Sequence, residues 1–232
     1  MADPTDEGTV WFSDSDAEEK ILIYLNTLSE DGYLARCNND SKGTAATKFL
    51  DLGTGNGHLL FALQDDGWRG RMVGVDYSEE SVKLARRIAA ARAATVKNDV
   101  SDDPSELSKC PLDFATYNIL GSKDATPEWF REKFDCLLDK GTFDAVSLSK
   151  VEDAEGKHGS DIYALHIQRF VRPGGFLVVT SCNWTEDELR AWFTTQQTEF
   201  EFFGRISYPS FTFGGKTGQT IVTICFRRKQ SG

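Results

Sequence analysis

No stretch of this 232-residue chain approaches the ~20 consecutive apolar residues of a membrane-spanning helix, so none of it reads as a helical span. Cysteine is sparse and unpatterned: the five residues, Cys37, Cys110, Cys136, Cys182 and Cys225, form no C-x-x-C pair. An odd, scattered set predicts reduced thiols in a cytosolic compartment and argues against a zinc site. The three histidines, His58, His158 and His166, share no metal-like spacing with each other or with the cysteines. Positive charge is also short, 26 Lys and Arg against 36 Asp and Glu, for a net charge of −10. That balance argues against duplex DNA or an anionic membrane as partner and suits a basic protein surface. The opening Met-Ala-Asp-Pro-Thr-Asp-Glu has neither the basic start nor the apolar core of a secretory signal. A cytoplasmic location is therefore expected, with the acceptor patterns at Asn39 and Asn183 left unglycosylated.

What the chain does have is 40% hydrophobic residues and enough length for one α/β domain over residues 1–232, with 1–9 as a mobile polar tail. Its most informative stretch is Phe49-Leu50-Asp51-Leu52-Gly53-Thr54-Gly55-Asn56-Gly57. A short apolar run ends in an acid, and three alternating glycines precede a helical-looking run from His58. This is the pattern of a buried parallel strand, a tight turn and a helix start. Glycines there let a ligand approach the backbone, and the helix start beyond offers unpaired N–H groups. The NAD fingerprint G-x-G-x-x-G fails, because His58 stands at its third glycine. A second apolar run, Met72-Val73-Gly74-Val75-Asp76, ends in an acid 23 residues after Gly53, which suits two ribose hydroxyls. The plainer reading of Asp76 is a cap for the helix that starts near Ser78.

The D-x-G-x-G-x-G spacing resembles motif I of the class I S-adenosylmethionine-dependent methyltransferases. The rest of the chain reads accordingly. Ser15–Glu18 has the form of a capping box, and Ile21, Tyr24, Leu25 and Leu28 give a helix from about Asp16. Residues 30–47 read as loop. A helix from Ser78 to about Ala94 leads to a short third strand, Thr95–Asn98, closed by Asp99. Residues 101–133 read as an insertion carrying one helix. Phe134–Asp139 is the fourth strand, His158–Val171 a helix, and Phe176–Thr180 the fifth strand. Thr185–Glu188 is a second capping box, and Glu199–Ser207 and Thr220–Phe226 are two last strands around a Pro/Phe/Gly loop. Alternating strands and helices predict a parallel sheet with right-handed crossovers, the ligand lying at the strands' carboxyl ends. Asp51, Asp76, Asp99 and Asp139 all fall at such ends.

Beyond residue 134 the resemblance narrows. Leu138-Asp139-Lys140-Gly141-Thr142-Phe143-Asp144-Ala145-Val146-Ser147-Leu148 resembles motif IV of the lysine methyltransferases that modify translation elongation factor 1-alpha. Thr180-Ser181-Cys182-Asn183-Trp184-Thr185, Phe211–Gly215 and the leading Val10-Trp11-Phe12 are similar to other blocks of that family, in the same order. The resemblance covers essentially the whole chain. It departs at the 30–47 loop and the longer 101–133 segment, and the front end reads as abbreviated. It implies a Rossmann-like sheet of seven strands, mostly parallel with an antiparallel last strand and helices on both faces. It implies S-adenosylmethionine as cofactor and elongation factor 1-alpha as protein partner.

Residue by residue, it implies that Asp51 and the Gly53–Gly57 loop, with Gly53, Thr54 and Gly55, face the methionine part and that Asp76 holds the ribose hydroxyls. Tyr77 flanks the adenine, while Asp99 and the Val100 backbone read its edge. Asp139 sits beside the transferring methyl and aims the lysine amine. For Trp11 two readings stand, a hydrophobic staple for the first helix or a flap over the cofactor. Trp184, Phe211 and Phe213 either line a lysine channel by cation–π contact or belong to the core. Asp144 reads as a local helix cap. Gly214-Gly215-Lys216-Thr217 fails as a phosphate loop because Ser210 replaces the required glycine. Lys140 lacks the apolar surroundings of a Schiff-base lysine. A small-molecule methyltransferase, which would share motif I and Asp76 but not need the 138–148 and 180–185 blocks, and a non-catalytic protein that binds the cofactor and transfers nothing are the alternatives.

Overall fold

The apolar runs that end in acids become neighbouring strands of one sheet. The structure, a computed structural model, describes residues 11–38, 45–98, 112–121, 126–150, 156–209, 211–213, 216–218 and 220–230. The strands are β1 (Phe49–Leu52), β2 (Met72–Asp76), β3 (Leu112–Thr116), β4 (Phe134–Lys140), β5 (Val171–Ser181), β6 (Phe200–Ile206), β7 (Phe211–Phe213), β8 (Lys216–Gly218) and β9 (Val222–Arg228). Seven of them form a sheet in the order β3-β2-β1-β4-β5-β9-β6, while β7 and β8 make a separate antiparallel hairpin. All pairings from β3 to β5 are parallel, and β9 runs antiparallel to both β5 and β6. The expected mostly parallel sheet with an antiparallel last strand is therefore the observed one.

The helices are α1 (Ala17–Glu30), α2 (His58–Asp65), α3 (Glu79–Asn98), α4 (Thr142–Leu148), α5 (Gly159–Ile167) and α6 (Glu186–Phe193). Two cores explain why the central strands read as unbroken apolar runs, since strands covered on both faces must be apolar on both. Phe49, Met72, Cys136, Leu138, Phe176 and Val178 pack with α1, α2 and α3. Leu50, Leu52, Val73, Val75, Leu137, Leu177 and Val179 pack on the other face with α4, α5 and α6. Alternation along each strand sends successive side chains to opposite cores.

Three local expectations are corrected. Residues 95–98 are the end of α3, not a strand; the third strand is Leu112–Thr116, pairing with β2 from Met72↔Leu112 to Asp76↔Thr116. The β-branched Thr95-Val96 pair misleads because α3 is long enough to outweigh local propensity. The segment 101–133 is thus no simple insertion, since it contributes an edge strand to the sheet. The capping box at Ser15–Glu18 is absent: Asp16, at the helix N-cap, has φ 51° and makes no side-chain cap bond. Glu18 turns instead to His58 and Lys140. The second box does form, Thr185 with Glu188 at the start of α6. The polar tail, 1–9, lies outside the described residues.

Candidate active site

Where β1 and β4 end, the chain turns through glycines at positive φ, and a cavity of about 800 Å³ opens there beside the end of β2. That volume is in the range of small-molecule and cofactor sites. Its walls include Trp11, Gly53, Thr54, Gly55, Asn56, Asp76, Tyr77 and Thr142. Gly53 has φ 65°, and a Cβ there would lie 2.1 Å from the Thr142 hydroxyl, so no other residue fits. That hydroxyl in turn donates to the Leu52 carbonyl and ties the start of α4 to the end of β1. At Gly55 a Cβ would meet nothing within 4 Å, so this backbone faces open space.

Asp76 closes β2 and is only 7% exposed. One carboxylate oxygen accepts the Gly55 N–H at 2.9 Å and the other the Ser78 N–H at 2.8 Å. A carboxylate has about four acceptor positions, so two remain for a ligand. Tyr77, beside it on the cavity wall, is 82% exposed, an aromatic face with little protein covering it. Asp51 is buried and accepts the Thr54 hydroxyl at 2.6 Å. Burial pushes its pKa up to about 7; the Thr54 bond and the Lys140 charge pull the other way. Asp51 stands behind the loop and is not a wall of the cavity.

Asp139 is placed differently from expectation. It is 1% exposed and does not line the cavity. Its oxygens accept the Tyr163 hydroxyl at 2.6 Å, the Thr142 N–H at 2.8 Å and the Phe143 N–H at 3.2 Å. Position 139 alternates toward the core of α4 to α6, and the carboxylate holds the first turn of α4. Burial raises its pKa to about 7 despite these bonds, and the same burial with the Asp139 charge holds the Tyr163 phenol well above its ordinary range. Asp144 is no helix cap. It is buried, with its oxygens accepting the Ser181 hydroxyl and, at 2.8 Å, the Cys182 N–H, so it pins the turn from β5 to α6.

Trp184 packs on Phe143 and Trp192 with ring centroids 6.3 and 5.7 Å away, and its Nε1 donates to Ser147 at 2.9 Å. It is part of the partly buried rim of that core and not a wall of the cavity. Trp11, 53% exposed, does reach the cavity edge, while its neighbour Phe12 packs against Ala17, Tyr208 and Ile221. The backbone of Phe211 and Phe213 forms β7 of the hairpin. Asp99 and Val100 lie outside the described residues.

The residues missed from sequence are chiefly Tyr117, Asn118, Ile119 and Leu120, which follow β3 and line the cavity opposite Lys140, Gly141, Ala145 and Val146. The signal was present: Leu112 and Phe114 alternate after Pro111 and before Gly121. Among the described residues no group of His, Cys, Asp and Glu is placed to hold a metal, and no helix is long and apolar enough to cross a membrane.

This glycine-rimmed cavity at the carboxyl edge of a parallel sheet has counterparts among known proteins. Residues 44–219 match the family model described as a methyltransferase domain. Protein-lysine N-methyltransferase EFM4 of Saccharomyces cerevisiae is 38% identical over 223 residues, 96% of this chain and 84% of that protein. The chain belongs to the protein-lysine N-methyltransferases of the EFM4 family. EEF1A lysine methyltransferase 2 of Danio rerio is 29% identical, covering 96% of this chain and 78% of that protein. Among solved structures, the N-methyltransferase NodS of Bradyrhizobium japonicum, in complex with S-adenosyl-L-homocysteine, shares the fold at TM-score 0.56 and 15% identity, over 97% of this chain and 94% of that one. The EFM4-family chain described here presents what an adenosyl ligand needs: a backbone open at Gly55, a carboxylate with spare acceptor positions at Asp76 and an uncovered ring at Tyr77.

Proposed function

We propose that this protein transfers a methyl group from S-adenosylmethionine to a lysine Nε of translation elongation factor 1-alpha, in the cytoplasm. The observation that carries this is the coverage of the named relatives, which reaches 96% of the chain and takes in the motif IV block, the Ser181–Thr185 turn and the hairpin. A small-molecule enzyme sharing only motif I would not need those blocks.

The cofactor supplies an electrophilic methyl on a positively charged sulfur. The chain's own residues hold and orient. Asp76 accepts from the ribose hydroxyls, Tyr77 flanks the base, and the Gly53–Gly55 backbone faces the methionine part with Asp51 behind it. Trp11 covers one edge. Asp99 and Val100 are assigned to the adenine edge together with the segment after β3, which the cavity lining supports at Tyr117 to Leu120.

A free lysine has a pKa near 10.4, so presenting a neutral amine near pH 7.4 costs roughly 4 kcal/mol, three pKa units at 1.36 each. Enclosure in an apolar channel and a neighbouring positive charge both reduce that cost. Alignment is then the main catalytic resource. Asp139 contributes to it by fixing the first turn of α4, whose Thr142, Ala145 and Val146 form the cavity wall. Its burial and its three donors from Thr142, Phe143 and Tyr163 support a positioning role over direct contact with the amine. The hairpin with Phe211 and Phe213, and the Trp184 turn, are assigned to the protein substrate.

Purified elongation factor 1-alpha, cell extract and radiolabelled cofactor separate the readings. One labelled protein band, mapped to a lysine by mass spectrometry, is expected. A labelled small molecule would point to the alternative enzyme class, and cofactor binding without any labelled product to a non-catalytic protein.

A further inference from the structure

We propose that Lys140 is a positioning residue that clamps the strap Trp11–Asp16 onto the edge of the cofactor cavity, and so sets cofactor affinity. This rests on the reading that the cavity takes S-adenosylmethionine. Lys140 ends β4, is 13% exposed at its side chain, and is itself a wall of the cavity. Its Nζ donates to the Trp11 carbonyl at 2.8 Å and pairs with Glu18 at 3.3 Å, and it lies 6.0 Å from the Phe12 ring centre. The other Glu18 oxygen meets His58 Nδ1 at 2.5 Å, at the residue that opens α2 directly after the glycine loop. One ammonium thereby joins the strap, the first helix and the end of β4, and Glu18 extends the link to the glycine loop.

The strap does not hold this shape by itself. Phe12 and Asp16 sit at φ 64° and 51°, the only non-glycine residues at positive φ among those described. Such conformations persist where surrounding contacts over-determine them. Beside the backbone bonds from the Ser15 N–H to the Phe12 carbonyl and from the Lys20 N–H to the Asp16 carbonyl, Lys140 supplies a polar contact to the strap from the end of β4. Apolar contact comes from Gly141, where a Cβ would stand 3.0 Å from the Trp11 ring and 3.1 Å from the Phe12 ring. Without the ammonium, the Trp11 carbonyl loses its donor and the Glu18 carboxylate its lysine ion pair, and Trp11 is free to leave the cavity edge. A hydroxyl, with one donor, cannot serve both the carbonyl and the carboxylate, and a neutral amide, though it has two N–H donors, brings no charge to pair with the carboxylate.

The test uses the full chain and S-adenosyl-L-homocysteine as probe, with calorimetric titration and hydrogen exchange over residues 11–20 read by mass spectrometry. Wild-type protein should bind the probe and slow exchange in 11–20 when it does. Lys140→Met, which keeps the stem and drops the donors, should bind about tenfold more weakly or worse, with that exchange fast even when loaded. Lys140→Arg should restore part of both. A Lys140→Met protein with wild-type affinity and wild-type protection would overturn the proposal. If that variant does not fold, Glu18→Gln carries the test. Weaker binding with faster exchange in 11–20 supports the clamp, and unchanged values remove it. Wild-type protein that binds no probe would instead overturn the cofactor reading, and the proposal with it.

Discussion

Replacing Asp76 by alanine should separate cofactor binding from everything else at this site. In the folded protein the carboxylate accepts two backbone N–H groups, from Gly55 at 2.9 Å and Ser78 at 2.8 Å, in a nearly buried position. Its two remaining acceptor positions are those assigned to the ribose. Hydrogen bonds to a charged group contribute about 1.5–3 kcal/mol each, and a buried group left unsatisfied costs about 1–3 kcal/mol. Removing the carboxylate therefore loosens the glycine loop in the free protein and leaves the ribose hydroxyls without partners in the complex. Loss of about 1.4–2.7 kcal/mol of binding is expected, roughly tenfold to a hundredfold in Kd. Calorimetric titration with S-adenosyl-L-homocysteine measures it, and a melt of the unliganded variant separates the structural share. Asp76→Asn should fall between, since its amide offers one acceptor but turns a donor toward one of the two N–H groups. A folded Asp76→Ala protein with unchanged affinity would refute the assignment of β2 to the ribose.

The remaining expectations are briefer. Gly53→Ala should destabilise the fold by more than about 1 kcal/mol in urea melts, since its positive φ and the Thr142 hydroxyl 2.1 Å from the new Cβ both oppose it. Tyr163→Phe should cost about 1–3 kcal/mol of stability by leaving Asp139 one donor short, with little change in cofactor Kd. Asp51 has its folded pKa raised to about 7 by burial. The stability it adds is fully present below its unfolded pKa, near 3.9, and is lost as pH rises through about 7. The advantage of wild type over Asp51→Asn should accordingly shrink by up to about 4 kcal/mol between pH 4 and 7.5 in denaturant titrations, and an advantage that grows with pH would contradict the sign. Phe213→Ala should slow methylation of elongation factor 1-alpha while cofactor affinity holds; an equal loss of cofactor binding would mean the hairpin serves the cofactor.

Much of this molecule is legible along the chain. Strands buried on two faces must be apolar throughout, so Phe49–Leu52, Met72–Asp76 and Phe134–Lys140 stand out by composition alone, and the acids at their ends mark the ligand edge. The glycines at 53 and 55 carry a local backbone requirement that no distant contact alters. What the sequence could not decide is where each polar group spends its hydrogen bonds. Asp76 and Asp139 look alike in the chain, each closing an apolar strand. Strand alternation and the packing of Tyr163 turn Asp139 into the core, while Asp76 stays on the cavity wall. Glu18 has the spacing of a capping residue, yet a lysine 122 positions away and a histidine 40 away claim it, because a half-buried carboxylate gains more from an ammonium and an imidazole than from one backbone N–H. The edge strand Leu112–Thr116 is decided the same way. Its weak alternation becomes a strand only because β2 offers it a free edge, and that edge exists only in the folded sheet.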